Sequence, residues 1–262
     1  GRSGAARITR FDPSALDVTF ACEVKGFDGH AYIERKEARR YDLFLQYGIA
    51  AAQMAVDAAG LGGGFPRPQR SGVLLGSGIG GMQTFEDQTR AFIEKGPSRV
   101  SPFFVPMFIP DIAAGIVAIR FGLMGPNYCT VSACASSAHA VGQAARLIQY
   151  GDADLMLAGG NEASVTPLTV AGFAAMKALS CRNDDPKRAS RPFDRDRDGF
   201  VLAEGAAVLV LEEYESARRR GVAMLAEVVG FGMSADAHHI TAPPENGEGA
   251  QLCMHAALAD AG

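Results

Sequence analysis

Thr130-Val131-Ser132-Ala133-Cys134-Ala135-Ser136-Ser137-Ala138-His139 joins two different periodicities within ten residues. On its upstream side, Tyr128–Ala133 reads as a short strand. Downstream, Ala138, Val141, Ala145 and Ile148 recur at helical spacing, which predicts a helix from about Ser136 to Tyr150. A strand feeding directly into a helix is the building unit of an α/β protein. Cys134 stands at the junction, where Ala and Ser neighbours permit a sharp elbow that lifts one side chain out, the geometry of exposed nucleophiles. The positive end of the helix and its free N–H groups favour a thiolate there. A small thiol packed at a strand end fits the same pattern equally well. The local residues leave both readings open.

Outward from this junction, helices alternate with short apolar strands. Leu43, Tyr47, Ala50, Met54 and Ala58 predict a helix over Arg39–Ala59, stopped by Gly60-Leu61-Gly62-Gly63-Gly64. Val73-Leu74-Leu75 reads as a buried strand, Leu155-Met156-Leu157 and Val208–Leu211 as further strands, and Ala226–Gly230 as the start of a new one. Further helices are expected over Met82–Glu94, from a cap at Asp111 to Ile119, over Glu212–Arg220 with a Glu215–Arg219 pair, and over Glu248–Ala261. Continuous apolar strands alternating with helices predict an α/β fold whose sheet is covered on both faces. The polar stretch Ser180–Asp198 lies between buried segments and reads as a long functional loop rather than a domain boundary.

Composition narrows the function classes. The chain has 262 residues, of which 48% are hydrophobic, so a packed globule is expected and disorder is excluded. Its longest nearly apolar stretches, Ile112–Ile119 and Ala206–Leu211, fall far short of the ~20 residues that span a bilayer. Gly1-Arg2-Ser3-Gly4 lacks the look of a secretory signal. A net charge of −4 argues against general nucleic-acid binding. Five cysteines without a CxxC argue against a disulfide framework or zinc ribbon and point to reduced thiols in a cytoplasm.

Three further motifs have plain readings. Gly76-Ser77-Gly78-Ile79-Gly80-Gly81 fits GxGxxG, but the acid needed about 20 residues further on is missing, so a tight turn is expected and NAD binding is rejected. Asp194-Arg195-Asp196-Arg197-Asp198-Gly199 imitates a calcium loop, yet position twelve is Gly205 and arginines interleave the carboxylates. A salt-bridged loop without metal is expected. His30, His139, His238, His239 and His255 form no ligand spacing, and none is expected to act as a catalytic base. The cluster Arg35-Lys36-Glu37-Ala38-Arg39-Arg40 reads by itself as a solvated helix start, though its positive charge stands out in an acidic chain.

Ordered segments along nearly the whole chain resolve the open readings. Arg35-Lys36-Glu37, Gln46-Tyr47-Gly48, the glycine turn, Ser101-Pro102-Phe103-Phe104-Val105-Pro106 and Val131-Ser132-Ala133-Cys134 are followed by Gly151-Asp152-Ala153-Asp154, Ala158-Gly159-Gly160 and Ala178-Leu179-Ser180. Ser190-Arg191-Pro192-Phe193-Asp194, Asp198-Gly199-Phe200-Val201 and Ser234-Ala235-Asp236-Ala237 complete the series. With these the sequence resembles the β-ketoacyl-acyl-carrier-protein synthases of the thiolase-like superfamily, most closely the elongating condensing enzymes of the synthase II type. The resemblance implies a duplicated, layered αβαβα fold, with 1–222 as the first half lacking its opening strand and 223–262 as the beginning of the second. It also implies a homodimer and no metal, nucleotide or other cofactor. Residue by residue, it places Cys134 on the nucleophile that accepts the acyl chain, and Ile79, Phe104 and Phe173 on positions lining or gating the acyl pocket. Lys36, Arg39 and Arg40 fall on the patch that receives the acidic acyl carrier protein, in its acyl- and malonyl-loaded forms. Ser137 stands where the family more often has glycine. The family's two catalytic histidines and supporting lysine belong to the part of the second half not present here, so the chain alone is expected to be inactive. A thiolase-type enzyme acting on coenzyme A thioesters and a non-catalytic chain-length partner subunit are the alternatives. The basic cluster argues against the first and Cys134 against the second.

Overall fold

Two central strands buried along almost their whole length, Ser71–Gly76 and Leu155–Glu162, organise the chain. A computed structural model describes residues 2–262. The short strands β1 (Ala6–Arg7) and β2 (Phe20–Ala21) pair antiparallel near the N-terminus. One helical turn, α1 (Arg35–Ala38), precedes α2 (Leu43–Ala58). Strand β3 (Ser71–Gly76) leads through the glycine turn to α3 (Met82–Lys95), α4 (Phe104–Phe108) and α5 (Ile112–Phe121). Then come β4 (Asn127–Tyr128), α6 (Ser136–Gln149), β5 (Leu155–Glu162) and α7 (Pro167–Ala175). Strand β6 (Gly205–Glu212), α8 (Tyr214–Arg220) and α9 (Glu248–Ala261) follow.

The four-stranded sheet runs β4-β3-β5-β6, with β3 parallel to both neighbours and β6 antiparallel to β5. All six residues of β3 are buried, which explains why Val73-Leu74-Leu75 is a continuous apolar run. On one face, Phe44, Leu45, Ile49 and Val56 of α2 and Val117 of α5 pack on Val73, Leu75 and Leu157. On the other, Ala140 and Ala144 of α6 pack on Leu74, Met156 and Ala158. These are helix, sheet and helix layers, the layered α/β class read from the sequence. A second core under the N-terminal ribbon joins Ile8, Val18 and Phe20 to Val165, Val170 and Leu202.

Several predicted boundaries move, each for a local reason. Helix α2 begins at Leu43 rather than Arg39, because buried Asp42 accepts the N–H of Phe44 at 3.3 Å and caps it. Of the expected Tyr128–Ala133 strand only Tyr128 pairs with β3, together with Asn127 just before it, after which the chain bends away toward Cys134. Asp111 occupies the cap position of α5 without a side-chain capping bond. Glu212 ends β6, and Glu213 caps α8 by accepting the N–H groups of Glu215 and Ser216. Glu215 pairs with Arg218 at 3.6 Å rather than with Arg219, which leans toward the capping carboxylate of Glu213. Ala226–Gly230 is not a strand: no strand among the described residues lies beside it. Gly230 and Gly232 instead press against the carbonyls of Ala257 and Cys253 in α9.

Candidate active site

Ala133, Cys134 and Ala135 form a single 3-10 turn that delivers the chain into α6. Ala133 has φ +49°, a left-handed conformation costing a residue with a side chain about 1–3 kcal/mol. One hydroxyl holds it. Buried Ser136 Oγ accepts the Ser132 N–H at 2.9 Å and donates to the Ala133 carbonyl at 2.7 Å, stitching together both sides of Cys134. Thr130 Oγ1 adds a bond to the Ser136 carbonyl at 2.8 Å.

Glycines let this elbow lie directly on the sheet. A Cβ at Gly76 would lie 2.4 Å from the Ser136 carbonyl carbon, and one at Gly160 only 2.1 Å from Ser137 Oγ. The Ser137 hydroxyl therefore fills the space that a side chain at 160 would need. Cys134 itself is exposed, at the N-terminal end of a helix of 14 residues. The local result is a solvent-facing thiol on a constrained backbone, the exposed alternative of the two that the pattern allowed.

The glycine turn beside it is occupied by the chain's own carboxylate. Glu162, at the end of β5, accepts the N–H of Gly78 at 2.8 Å and of Ile79 at 3.1 Å through one oxygen. Its other oxygen accepts the Ser164 hydroxyl at 2.8 Å. Amides that a dinucleotide phosphate would use are thus already bonded, which is the physical reason the GxGxxG pattern carries no nucleotide reading here. A Cβ at Gly78 would stand 3.7 Å from the Ala133 carbonyl oxygen, so the turn lies against the elbow.

The other expected site residues fall into distinct places. Half-buried Ile79 belongs to the glycine turn. Phe104 stacks on Phe108 at 5.7 Å and both face Phe85, while the Phe108 carbonyl accepts the Gly81 N–H at 2.9 Å. The turn thereby links Ile79 and Phe104 to the elbow. Phe173 lies on a different wall, edge-on to Phe200 at 5.2 Å, and among the described residues no hydrogen bond or ring contact ties it to Cys134. Lys36, Arg39 and Arg40 are exposed on and just after α1, and none is ion-paired among the described residues. The Arg40 guanidinium lies 4.7 Å from the centre of the Phe103 ring. In the calcium-like loop, Asp196 and Asp198 face Arg195 at 3.4 Å and Arg191 at 3.2 Å. His139 Nδ1 is 2.7 Å from Ser132 Oγ and its ring is edge-on to Phe231.

Sequence reasoning missed Ser136, Glu162 and the buried network around Glu204. A lone acid at the end of an otherwise uncharged strand, two residues after Gly159-Gly160, was the available signal for Glu162. Nothing local marked the other two.

Burial separates the thiols. It pushes Cys129 up, with the Asp111 and Glu162 charges adding to it against a bond from the Ser77 backbone, and it pushes Cys22 up against a nearby Lys25. At neutral pH iodoacetamide should modify exposed Cys134 and Cys181 first, with Cys22 and Cys129 lagging by tenfold or more. The lagging rates should keep rising with pH beyond the ~8.5 of a free thiol, since their thiolates form later. Peptide mapping across a pH series checks this; equal rates for the four would contradict it.

Comparison with known proteins adds a family pattern. The family described as Beta-ketoacyl synthase, N-terminal domain, matches residues 1–217. The chain is 54% identical over 262 residues to the 3-oxoacyl-[acyl-carrier-protein] synthase 2 of Vibrio cholerae, covering 100% of this chain and 63% of that protein. It is 50% identical to the protein of the same name from Synechocystis, again covering 100% and 63%. The chain therefore spans a little under two thirds of these relatives' length. Among solved structures, a β-ketoacyl synthase from Burkholderia phymatum superposes with TM-score 0.90 at 37% identity, over 100% of this chain and 64% of that one. A type II PKS acyl-carrier protein in complex with its ketosynthase bound to the hexaketide gives TM-score 0.86 at 31% identity, over 100% and 63%.

Proposed function

The chain belongs to the β-ketoacyl synthase family, and on that premise we propose that the protein containing it is a 3-oxoacyl-[acyl-carrier-protein] synthase of fatty-acid elongation. The observation that carries the reading is the exposed Cys134 on its constrained elbow at the start of α6. In this reading the Cys134 thiolate attacks the thioester of an acyl-carrier protein. The carrier's thiol leaves and the acyl chain becomes a thioester on Cys134. Malonyl-carrier protein then enters, and loss of carbon dioxide leaves the electron pair on its α-carbon. That carbanion attacks the Cys134 thioester, forming the new carbon–carbon bond and expelling the thiolate. Splitting the exchange from the condensation is covalent, two-stage catalysis. The backbone N–H of Cys134 is proposed as one donor to the transient oxyanion. The two histidines and lysine implied by the family resemblance are assigned to the relatives' remaining length.

Ile79, Phe104 and Phe173 are proposed to line or gate the acyl chain. The contact of the glycine turn with both the elbow and α4 supports this for the first two. Residues 1–222 are taken as the first half of the fold and 223–262 as the start of the second. We place the protein in the cytoplasm as a homodimer without cofactor. Five free cysteines fit that compartment, and the exposed edge strand β4 beside exposed Met124 and Val131 fits pairing with a second copy.

The direct test loads the full-length protein with acyl-carrier protein and maps the adduct by mass spectrometry. An acyl group on the Cys134 peptide that malonyl-carrier protein discharges as a β-ketoacyl product supports the reading. An adduct on another cysteine, or equal use of a coenzyme A thioester, overturns it. The unpaired charges of Lys36, Arg39 and Arg40 are proposed to receive the carrier protein. Reversing all three to Glu should slow carrier-dependent transfer by roughly ten- to a hundredfold, since rim charges act mainly on association rate. Added salt, with a Debye length of about 8 Å at physiological strength, should narrow the gap. Reaction of Cys134 with a small neutral alkylator should be unchanged. Unaltered turnover in the triple variant would make the cluster only a solvated helix start.

A further inference from the structure

Glu162 takes no part in the acyl transfer described above, yet its carboxylate is the most heavily bonded group beside the elbow. One oxygen receives two consecutive amides, Gly78 and Ile79, and lies 3.4 Å from Ser77 Oγ. Ser77 Oγ in turn accepts the Gly80 N–H at 3.1 Å, and the Ser77 N–H reaches the Thr130 carbonyl at 3.3 Å. Successive amides converging on one point form a concave anion-binding nest. Here the nest is filled from within the chain, by a side chain at the end of the neighbouring strand. Gly80 has φ +79°, and its would-be Cβ lies 2.6 Å from the Phe108 carbonyl oxygen. The turn is therefore pinned on one side by a carboxylate and pressed on the other by the backbone of α4. It has little freedom to move Ile79.

We propose that Glu162 is a positioning residue for acyl-chain selection: by holding the Gly78 and Ile79 amides against the end of β5, it fixes where the Ile79 side chain stands relative to Cys134. This rests on the reading that Ile79 lines the acyl pocket. A branched side chain selects chain length only while its backbone is fixed, because a turn free to shift would yield to a longer substrate. Removing the carboxylate leaves two amides without their acceptor, and the turn must find other partners to satisfy them. Glu162→Gln keeps the shape: its oxygen can face the amides while its NH2 faces Ser164 Oγ, which accepts.

The test uses the full-length protein and compares kcat/KM for a short and a long acyl-carrier-protein primer. A methylene in an apolar pocket is worth roughly 10–200-fold in discrimination, so Glu162→Ala should shrink the wild-type preference by about tenfold or more. Glu162→Gln should restore it to within about threefold of wild type, and Cys134 should still react normally with a small alkylator. Ser77→Ala, acting from the other end of the same contact, should shift the preference in the same direction by less. Equal losses for both primers in Glu162→Ala would mean a merely structural contact and overturn the proposal, as would an unmoved ratio. A wild-type protein that transfers no acyl chain would overturn the functional reading itself, so the two failures are told apart by the wild-type measurement.

Discussion

Cys134→Ala in the full-length protein should lower the condensation rate by roughly 10^4–10^6-fold, the scale seen when a covalent catalyst loses its nucleophile. The exposed side chain contributes little to packing, so the fold should hold to within about 0.5 kcal/mol. Binding of acyl-carrier protein should also survive, because the proposed docking charges, Lys36, Arg39 and Arg40, are on and just after α1 and not at the elbow. Cys134→Ser should lose nearly as much. It keeps the geometry, but a hydroxyl at a helix terminus is far harder to ionise than a thiol. The measurement is single-turnover transfer from acyl-carrier protein, with melting temperature as the control for folding. Activity within tenfold of wild type in either variant would remove Cys134 from the chemistry.

The largest effect on stability is expected at Arg10→Ala. Glu204 is fully buried as a side chain and is paired with Arg10. It also accepts the Val24 N–H at 2.8 Å and the Tyr47 hydroxyl at 3.1 Å. One carboxylate thus ties the N-terminal ribbon to α2. Removing its cation strands a buried charge, which costs about 3–5 kcal/mol in comparable pairs. At ~2–4 °C per kcal/mol for a chain of this size, the melting point should drop by roughly 6–20 °C. Arg10→Ala combined with Glu204→Leu should be less damaging than the two single effects added, because the stranded charge is gone. Tyr47 adds an alkaline limit. Burial first, and the Glu204 charge second, push its phenol up to about 12. Its folded-state value is raised, so its contribution is intact below the ~10 of an unfolded tyrosine and is lost as pH climbs from there toward 12. Thermal melts of wild type and Arg10→Ala across that window check both statements.

Element cores were legible in the residues because burial leaves a periodic mark. Val73–Leu75, Leu155–Leu157 and Val208–Leu211 all fall inside observed strands, and the Ser136 helix starts where its apolar stripe suggests. Boundaries set by single side chains were not. Asp42 displaces the start of α2 through one capping bond, and the Ser136 hydroxyl draws Ser132–Ala133 out of the sheet. The failure at Ala226–Gly230 has another origin: a strand is defined by its neighbour, and composition says nothing about whether one is present. At the site, Cys134 carried a local signature and Glu162 carried almost none. A nucleophile must be displayed, whereas a side chain that braces a turn is recognised only by the long-range contacts it makes.

The stacking of Arg40 on Phe103 has a practical consequence, because the chain contains no tryptophan at all. Phe103→Trp would give this chain a single indole, emitting in the near ultraviolet at longer wavelength than its tyrosines and reporting from a position whose native ring is 43% exposed at the border between the basic patch and α4. Guanidinium groups stack on indole better than on benzene, so the native contact should persist and modulate the emission. Withdrawal of Arg40 toward an approaching acidic partner would then appear as a change in intensity, read with excitation at wavelengths the six tyrosines do not absorb. Arrival of the proposed carrier-protein partner could be timed optically in stopped flow, before any bond is made or broken.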